Sequence, residues 1–229
     1  MNIIINGGSR GIGKEVVLYL AKDTTNQVIV TGRNEEILNT LAASSANVHP
    51  VAVDLSVLNE QSGILRDKIE HHFKKIDVLI NLAGTLVAKE FMEISDDEAR
   101  VMMETNFFGT ASFIRIVKPL MQDGAHIVNI SSMGGYQGSV KFRGLSYYSA
   151  SKAAIACLTE CLAEEFRSSG ISVNCLALGA VQTEMLKEAF PGYKAPVDVA
   201  EIARFISYFA LNGHKFMNGK IIPVALSTP

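Results

Sequence analysis

Residues 3–13 read Ile-Ile-Ile-Asn-Gly-Gly-Ser-Arg-Gly-Ile-Gly and form the most informative stretch of the chain. The three isoleucines predict a short buried strand, and the apolar spacing over residues 14–20 predicts a helix directly after the glycines. Glycines at such a turn let a pyrophosphate approach the backbone, and the helix points its positive dipole end at the phosphates. A tight turn without a ligand is the alternative, but the flanking strand and helix favour a dinucleotide site. The residues expected at this site are Gly7, Ser9, Arg10, Gly11, Ile12 and Gly13.

Short β-branched runs alternate with stretches of helical spacing along the rest of the chain. Strands are predicted at residues 28–30, 51–53, 78–80, 127–130, 171–176 and 221–224, and helices at 35–41, 59–73, 96–121, 150–166 and 199–211. Continuous apolar strands between helices indicate a parallel sheet that is covered on both faces. Ser95 and Asp198, each followed three residues later by a glutamate, predict capping boxes at two helix starts. No linker, repeat or low-complexity tract divides the sequence. We therefore predict one α/β domain over residues 1–229, with a Rossmann-type doubly wound parallel sheet of about seven strands.

Composition and charge exclude several classes of function. The 229 residues are 48% apolar and 19% charged, which is ordinary for a globular domain and unlike a disordered chain. A net charge of −2 gives no broad basic surface, so nucleic acid is not expected as a partner. Cys157, Cys161 and Cys175 lack the spacing of a zinc site, and no metal is expected. The first apolar run is too short for a signal peptide or membrane helix, so we expect a cytoplasmic protein without a membrane partner.

The end of the second predicted strand bears on the choice of cofactor. It reads Val30-Thr31-Gly32-Arg33 and lacks the acid that commonly holds the ribose hydroxyls of NAD(H). Arg33 and Arg10 could instead bind a 2′-phosphate through charge-assisted hydrogen bonds. Two solvated surface arginines are the alternative. We expect NADP(H) to be preferred, with NAD(H) as the second choice.

A second motif lies at Tyr148 and Lys152, which are four residues apart on one predicted helix face. Positive charge beside a phenol favours the phenolate and lowers its pKa, which suits proton exchange with an alcohol or a developing alkoxide. Tyrosine and lysine meet at this spacing by chance in many helices, so the motif alone is a weak signal. Ser132 ends a predicted buried strand, where its hydroxyl could polarise a carbonyl oxygen and assist the tyrosine.

Two further segments fit a site at the carboxyl ends of the strands. The fourth strand is followed by Ala83 and Gly84, whose small size lets a nucleotide ribose approach the backbone. Asn106 lies inside a long predicted helix, where asparagine is a mediocre helix former. A solvent-facing side chain is the alternative for Asn106, but its neighbours are apolar.

These motifs together resemble the classical short-chain dehydrogenase/reductase family over essentially the whole chain. The residues that carry the resemblance are Gly7 to Gly13, Asp54, Asn81, Ala83, Gly84, Asn106, Ser132, Tyr148 and Lys152, with the last predicted strand. The resemblance implies that Tyr148 is the general acid/base, that Lys152 lowers its pKa and binds the nicotinamide ribose, and that Ser132 orients the carbonyl. It also implies that Asn106 holds a water in a proton relay.

The same resemblance implies further cofactor contacts. These are Asp54 and Leu55 at the adenine, Asn81, Ala83 and Gly84 at the ribose, and Gly179, Val181 and Thr183 in the loop after the sixth strand. The chain departs from the family pattern at Asn6, Leu82 and Leu178, where threonine, asparagine and proline are usual. None of these departures removes a proton-transfer group, so catalysis is expected to survive.

The segment 184–196 is predicted to be a short lid over the substrate. Its apolar residues suit a medium-sized carbonyl compound, although an ordinary surface loop would have a similar composition. Lys141 and Arg143 could attract an anionic substrate, but isolated surface charges usually contribute little. The small residues of the Tyr148 helix, with the resemblance, favour a homodimer or homotetramer.

The sequence therefore predicts an NAD(P)-dependent oxidoreductase that transfers a hydride between NADP(H) and a small-molecule carbonyl or secondary alcohol. The alternative is a non-catalytic NADP(H)-binding sensor or scaffold. Such a protein would keep the glycine turn but would not need Ser132, Tyr148 and Lys152 together.

Overall fold

The computed structural model describes residues 1–226, with the backbone alone at residues 59–61. The strands are β1 (Asn2–Asn6), β2 (Gln27–Gly32), β3 (Val48–Ala52), β4 (Ile76–Asn81), β5 (Met121–Ser132), β6 (Ser172–Leu178) and β7 (Ile221–Val224). All seven pair in parallel in one sheet, in the order β3-β2-β1-β4-β5-β6-β7. The predicted doubly wound parallel sheet is confirmed.

Helices cover both faces of this sheet. Those in the described part of the chain are α1 (Gly11–Ala21), α2 (Glu35–Ala43), α3 (Leu58–His72), α4 (Asp96–Met103), α5 (Gly109–Val117), α6 (Ser146–Glu165), α7 (Glu184–Ala189) and α8 (Val199–Asn212). Helices α1, α2 and α8 contribute to one hydrophobic core, and α3, α5 and α6 contribute to the other. Strand β1 serves both cores, because Ile3 and Ile5 face one side and Ile4 faces the other. Its unbroken apolar run follows from this double burial.

The order of the strands places a crevice beside β1. The chain proceeds from β1 to β2 and β3 on one side of the sheet, and then returns to place β4 on the other side. Open parallel sheets bind ligands at such a reversal, beyond the carboxyl ends of the strands. Asn6 and Asn81, the last residues of β1 and β4, are register partners at this point.

A row of buried side chains ties these strand ends to the helix that carries Tyr148. Thr31 Oγ1 donates a hydrogen bond to Asn6 Oδ1 over 3.0 Å, and Asn6 Nδ2 donates to Asn81 Oδ1 over 3.2 Å. Asn81 Nδ2 donates to Asn129 Oδ1 over 2.8 Å, and Asn129 Nδ2 donates to Thr159 Oγ1 of α6 over 2.9 Å. We call these five residues the amide row. The asparagine at position 6 thus has a structural role, since it joins β2 to β4.

The structure corrects several predicted boundaries. The helix predicted at 96–121 is interrupted by a π-helical turn at Glu104–Phe108, and β5 begins at Met121. The strand predicted at 51–53 begins at Val48 and includes Pro50, which an edge strand tolerates. Helix α6 begins at Ser146 rather than 150, so Tyr148 and Lys152 both lie within it.

The two predicted capping boxes have different outcomes. At α4 the Ser95 side chain accepts from the Glu98 backbone N–H, and the Glu98 side chain accepts from the Ser95 backbone, which confirms the box. At α8 the Asp198 carboxylate accepts from the Ala200 backbone N–H instead, so this cap is a simple one.

Candidate active site

A cavity of about 900 Å³ lies at the carboxyl ends of the strands. It is lined by nearly all of the residues predicted for the site: Gly7, Ser9, Arg10, Gly11, Ile12, Gly13, Arg33, Asp54, Leu55, Ala83, Gly84, Ser132, Tyr148, Lys152, Gly179, Val181 and Thr183. Its size falls in the range of small-molecule and cofactor pockets. The structure thus brings the glycine turn and the Tyr148 motif to one cavity.

The glycine turn has the shape of a phosphate cradle. Gly7 has φ of +91°, and a Cβ on it would lie only 2.4 Å from the Ala83 backbone nitrogen, so a side chain is excluded here. The Gly7 and Gly8 N–H groups both donate to Thr31 O, which fixes the turn against β2. Arg10 is the N-cap of α1, and its side chain makes no capping hydrogen bond. The first turn of α1 also lacks an acidic residue, so this helix end suits a bound phosphate.

Two arginines and one aspartate line the part of the cavity next to the glycine turn and the ends of β2 and β3. Arg33 follows β2 and is exposed, while Arg10 forms a 3.6 Å ion pair with Glu188 of α7. Asp54 accepts hydrogen bonds from the backbone N–H of Ser56 over 3.0 Å and from its hydroxyl over 2.8 Å. Asp54 is therefore held in place by its own turn.

Tyr148 and Ser132 meet inside the cavity. Both side chains line it, and Ser132 Oγ accepts a hydrogen bond from the Gly134 N–H over 3.2 Å. Burial raises the pKa of the Tyr148 phenol above its usual value, and the Ser132 hydrogen bond opposes that rise. The sequence predicts the opposite direction, because spacing alone does not show how much water the phenol loses.

Lys152 lies one helical turn beyond Tyr148 and is buried. Its Nζ donates to Ile130 O over 3.0 Å and lies 6.0 Å from the centre of the Tyr148 ring. Burial lowers the pKa of Lys152 to about 8, whereas the buried thiol of Cys175 acts in the opposite direction. The ammonium is therefore adjacent to the phenol and still protonated at neutral pH.

Asn106 is buried in the π-helical turn, where the helix widens by one residue. Its Oδ1 accepts from the Thr85 N–H over 2.7 Å, and its Nδ2 donates to Thr85 O and to Ser151 Oγ, each over 2.9 Å. Ser151 Oγ donates in turn to Tyr148 O over 2.7 Å. The Asn106 amide thereby connects the segment after β4 to the start of α6.

Gly84 lies between two of these polar groups. A Cβ on Gly84 would be 3.2 Å from Lys152 Nζ and 3.3 Å from Asn106 Oδ1. Glycine at this position leaves room beside the ammonium and the amide oxygen.

Two predicted site residues, Asn81 and Asn106, do not line the cavity with the others. Asn81 belongs to the amide row, and Asn106 acts on Thr85 and Ser151. Other polar residues that were not assigned to the site from the sequence also line the cavity, among them Thr105, Ser131 and Glu201. Thr105 and Ser131 adjoin predicted site residues, which was the available signal, whereas Glu201 stood out in the sequence only as the glutamate of the predicted capping box at α8.

The predicted lid contains the short helix α7. Thr183 Oγ1 caps it by accepting from the Leu186 N–H over 3.2 Å, and a bridge between Val181 and Val197 closes the base of the segment. Within residues 1–226, no group of three or more metal-ligating side chains is arranged to hold an ion. Over the same residues, no helix is both long and apolar enough to cross a bilayer.

Comparison with known proteins gives a family and several relatives. A family model described as short chain dehydrogenase matches residues 1–194. An uncharacterized oxidoreductase of Staphylococcus saprophyticus is 30% identical over 211 residues, which cover 90% of this chain and 88% of the relative. One of Staphylococcus aureus strain N315 is 28% identical over 224 residues, which cover 96% of this chain and 95% of the relative.

Solved structures share the whole fold. A dehydrogenase/reductase from Sinorhizobium meliloti is 25% identical, with a TM-score of 0.83 and coverage of 98% of this chain and 93% of that one. A short-chain dehydrogenase/reductase from Brucella melitensis is 24% identical, with a TM-score of 0.87 and coverage of 100% and 96%. The second likeness concerns the fold alone.

Proposed function

Because the chain belongs to the short-chain dehydrogenase family of oxidoreductases, we propose that it interconverts a carbonyl compound and a secondary alcohol with NADP(H). The observation that carries this proposal is the convergence of Ser132, Tyr148 and Lys152 on the cavity that also contains the glycine turn. A proton-transfer group and a nucleotide cradle in one cavity are the two requirements of this reaction.

The chain has groups suited to each part of the cofactor. The glycine turn and the start of α1 bind the pyrophosphate, and Arg33 and Arg10 bind the 2′-phosphate. Asp54 and Leu55 flank the adenine, and Lys152 binds the nicotinamide ribose. When bound, NADP(H) supplies the hydride for reduction or accepts it in oxidation.

Tyr148 handles the proton. Its raised pKa keeps the phenol protonated near neutral pH, so it can donate to the alkoxide that develops during carbonyl reduction. Ser132 donates a hydrogen bond to the carbonyl oxygen and holds it beside Tyr148. The Lys152 ammonium stabilises the phenolate left after proton transfer.

Asn106 also takes part in this proton path. After each reduction Lys152 gives a proton back towards the Tyr148 phenolate, and a water between Asn106 Oδ1 and Lys152 Nζ, which both lie beside Gly84, replaces the proton that Lys152 has lost. We assign Asn106 to this relay and to the positioning of Tyr148 through Ser151.

Replacing Tyr148 by phenylalanine tests the proposal. Turnover should fall by about 10²–10⁴-fold, the usual contribution of a general acid/base, while NADPH binding stays nearly intact. Tyr147→Phe is the matched control, because Tyr147 is the adjacent tyrosine and stacks on Phe91. The measurements are NADPH oxidation with a panel of ketones and aldehydes, and NADPH fluorescence titration.

Two outcomes would contradict the proposal. Undiminished turnover in Tyr148→Phe would remove the assigned acid/base. NADPH binding by the wild-type protein without turnover on a broad carbonyl panel would favour a non-catalytic sensor or scaffold.

The same proposal includes a homodimer or homotetramer in the cytoplasm. Exposed small residues on α6, namely Ala150, Ala153 and Cys157, allow close approach of a second helix, and Phe108 is exposed in the π-helical turn that packs against α6. Free cysteines suit a reducing compartment. Analytical ultracentrifugation measures the oligomeric state directly.

A further inference from the structure

One part of the cavity wall is formed by the lid and by the loop before α6. The residues that line it there are Phe142, Leu145, Glu184, Met185, Leu186, Phe190, Tyr193 and Pro196. All except Glu184 are uncharged, and most are apolar or aromatic. A substrate in contact with this wall therefore meets apolar surface, and its single charged residue is a carboxylate.

The positive charges that line the cavity are not residues of this wall, although Arg10 contacts the lid through its ion pair with Glu188 of α7. Among the described residues they are Arg10, Arg33 and Lys152. Arg10 and Arg33 follow the glycine turn and β2, at the end proposed for the 2′-phosphate. Lys152 Nζ already donates a hydrogen bond to Ile130 O, and the proposed function assigns it to the proton path. Of the two other lining carboxylates, Asp54 follows β3 and Glu201 lies in the first turn of α8.

Three basic residues near the loop before α6 have partners, whereas Lys187 and Lys194 of the lid segment form no ion pair with a described side chain and do not line the cavity. Arg143 forms an ion pair with Glu90, and Lys89 forms one with Glu98. Lys141 donates to Tyr136 O over 2.6 Å and to Ser139 Oγ over 3.1 Å, within its own loop. The anion attraction that the sequence suggested for Lys141 and Arg143 is therefore weakened by these contacts.

From this distribution of charge we infer that the enzyme acts on neutral carbonyl compounds with an apolar body and discriminates against carboxylates. The inference rests on the proposed function. A carboxylate placed against the lid would lose part of its hydration without gaining a cationic partner from the wall, which costs free energy although Phe142 and Tyr193 are themselves partly exposed. A neutral aryl or alkyl group would instead bury apolar surface favourably.

Three para-substituted acetophenones of similar size test the inference: methyl 4-acetylbenzoate, 4-acetylbenzoate and 4-(aminomethyl)acetophenone. All three present the same ketone, with a neutral, an anionic and a cationic substituent. We expect kcat/KM with NADPH to be highest for the neutral ester and about 100-fold lower for the carboxylate. A carboxylate or ammonium compound that matches or exceeds the ester overturns the inference and leaves the proposed function standing. No NADPH or NADH oxidation with any of the three, or with aliphatic ketones and aldehydes, contradicts the proposed function itself.

A variant with a positive charge added to the apolar wall is the second test. Leu186→Arg, or Phe142→Arg if the first variant does not fold, should raise the carboxylate-to-ester ratio of kcat/KM by about tenfold, since a guanidinium pairs well with a carboxylate. Lys187→Ala and Arg143→Ala are the controls, because neither side chain lines the cavity, and both should leave the ratio unchanged. A ratio that falls in either control, or that stays unchanged in both arginine variants, overturns the inference.

Discussion

Arg10 and Arg33 both line the cavity, but their partners differ. Arg10 pairs with Glu188 across 3.6 Å, and both side chains are more than half exposed, so this ion pair contributes little to stability. Arg33 forms no ion pair with any described side chain. A 2′-phosphate would therefore compete with Glu188 for Arg10 but meet no competitor at Arg33.

This difference makes Arg33 the sharper probe of cofactor choice. Arg33→Ala should raise the KM for NADPH by about 10- to 100-fold, because it removes charge-assisted hydrogen bonds, and should leave the KM for NADH nearly unchanged. Arg115→Ala, an exposed arginine of α5 outside the cavity, is the matched control. Steady-state kinetics with both cofactors measure the effect, and equal losses for NADPH and NADH would refute the 2′-phosphate assignment.

Single residues also show what the sequence can and cannot supply. The spacing of Tyr148 and Lys152 was a weak signal alone, and it predicted a shared cavity only together with Ser132, the glycine turn and the family resemblance. The direction of the Tyr148 pKa was predicted wrongly, because it depends on burial and on Ser132, which is distant in sequence. Asn106 was noticed as an unusual helix residue, yet its contacts with Thr85 and Ser151 appear only once the chain is folded.

At the scale of elements, the amide row joins four strands to α6 through one direction of hydrogen bonding. Each member donates to the next, from Thr31 to Thr159, and Thr159 Oγ1 donates finally to Ile155 O over 2.9 Å. All five side chains are buried, so each hydrogen bond replaces one that water would otherwise make. The row therefore fixes α6, which carries Tyr148 and Lys152, relative to the strands beside the glycine turn.

Removing Asn129, the side chain that links the amide row to α6, should destabilise the folded protein. Asn129→Ala leaves the Asn81 Nδ2 donor without a partner in the core, so we expect the free energy of unfolding to fall by about 2 kcal/mol or more. Asn212→Ala is the control, since its side chain bonds to Tyr208 O at the surface and should change stability by less than about 0.5 kcal/mol. Urea denaturation measures both.

A double-mutant cycle then tests whether the row acts as a unit. Asn81→Ala combined with Asn129→Ala should cost less than the sum of the single changes, because the two side chains bond directly. Strict additivity would show that they stabilise the sheet independently.

Some boundaries of strands and helices could be predicted from the sequence, and others could not. The apolar runs and glycines identified all the strands, since burial on both faces leaves a clear pattern. The π-helical turn at Glu104–Phe108 was missed, because residues 96–117 keep helical spacing throughout and the extra residue is accommodated by tertiary contacts. Strand β3 was placed too late because Pro50 argues against a strand until its edge position is known.

For the molecule as a whole, a buried histidine makes the free energy of unfolding depend on pH. It lies in the inner strand β5, at the end of the sheet opposite the cavity. His126 of β5 is fully buried; its Nδ1–H donates to Ala210 O over 2.9 Å, and its Nε2 accepts from Asn174 Nδ2 over 3.0 Å. Both ring nitrogens are thus used by the neutral form. Burial, with a smaller effect from His214, lowers the pKa of His126 to about 4.

The direction of the pH effect follows from that lowered pKa. Above the unfolded value near 6.5 the histidine is neutral in both states, so the full stability is present. As pH falls from about 6.5 to about 4, His126 binds a proton in the unfolded chain but not in the folded chain. The free energy of unfolding therefore declines by about 3 kcal/mol in total.

His126→Gln should be less stable than the wild type at pH 7 but should lose less stability on acidification. His71→Gln, at an exposed position of α3, should keep the wild-type slope. Urea denaturation between pH 7 and pH 4.5 measures these slopes, and equal slopes for His126→Gln and the wild type would assign the acid sensitivity to other groups.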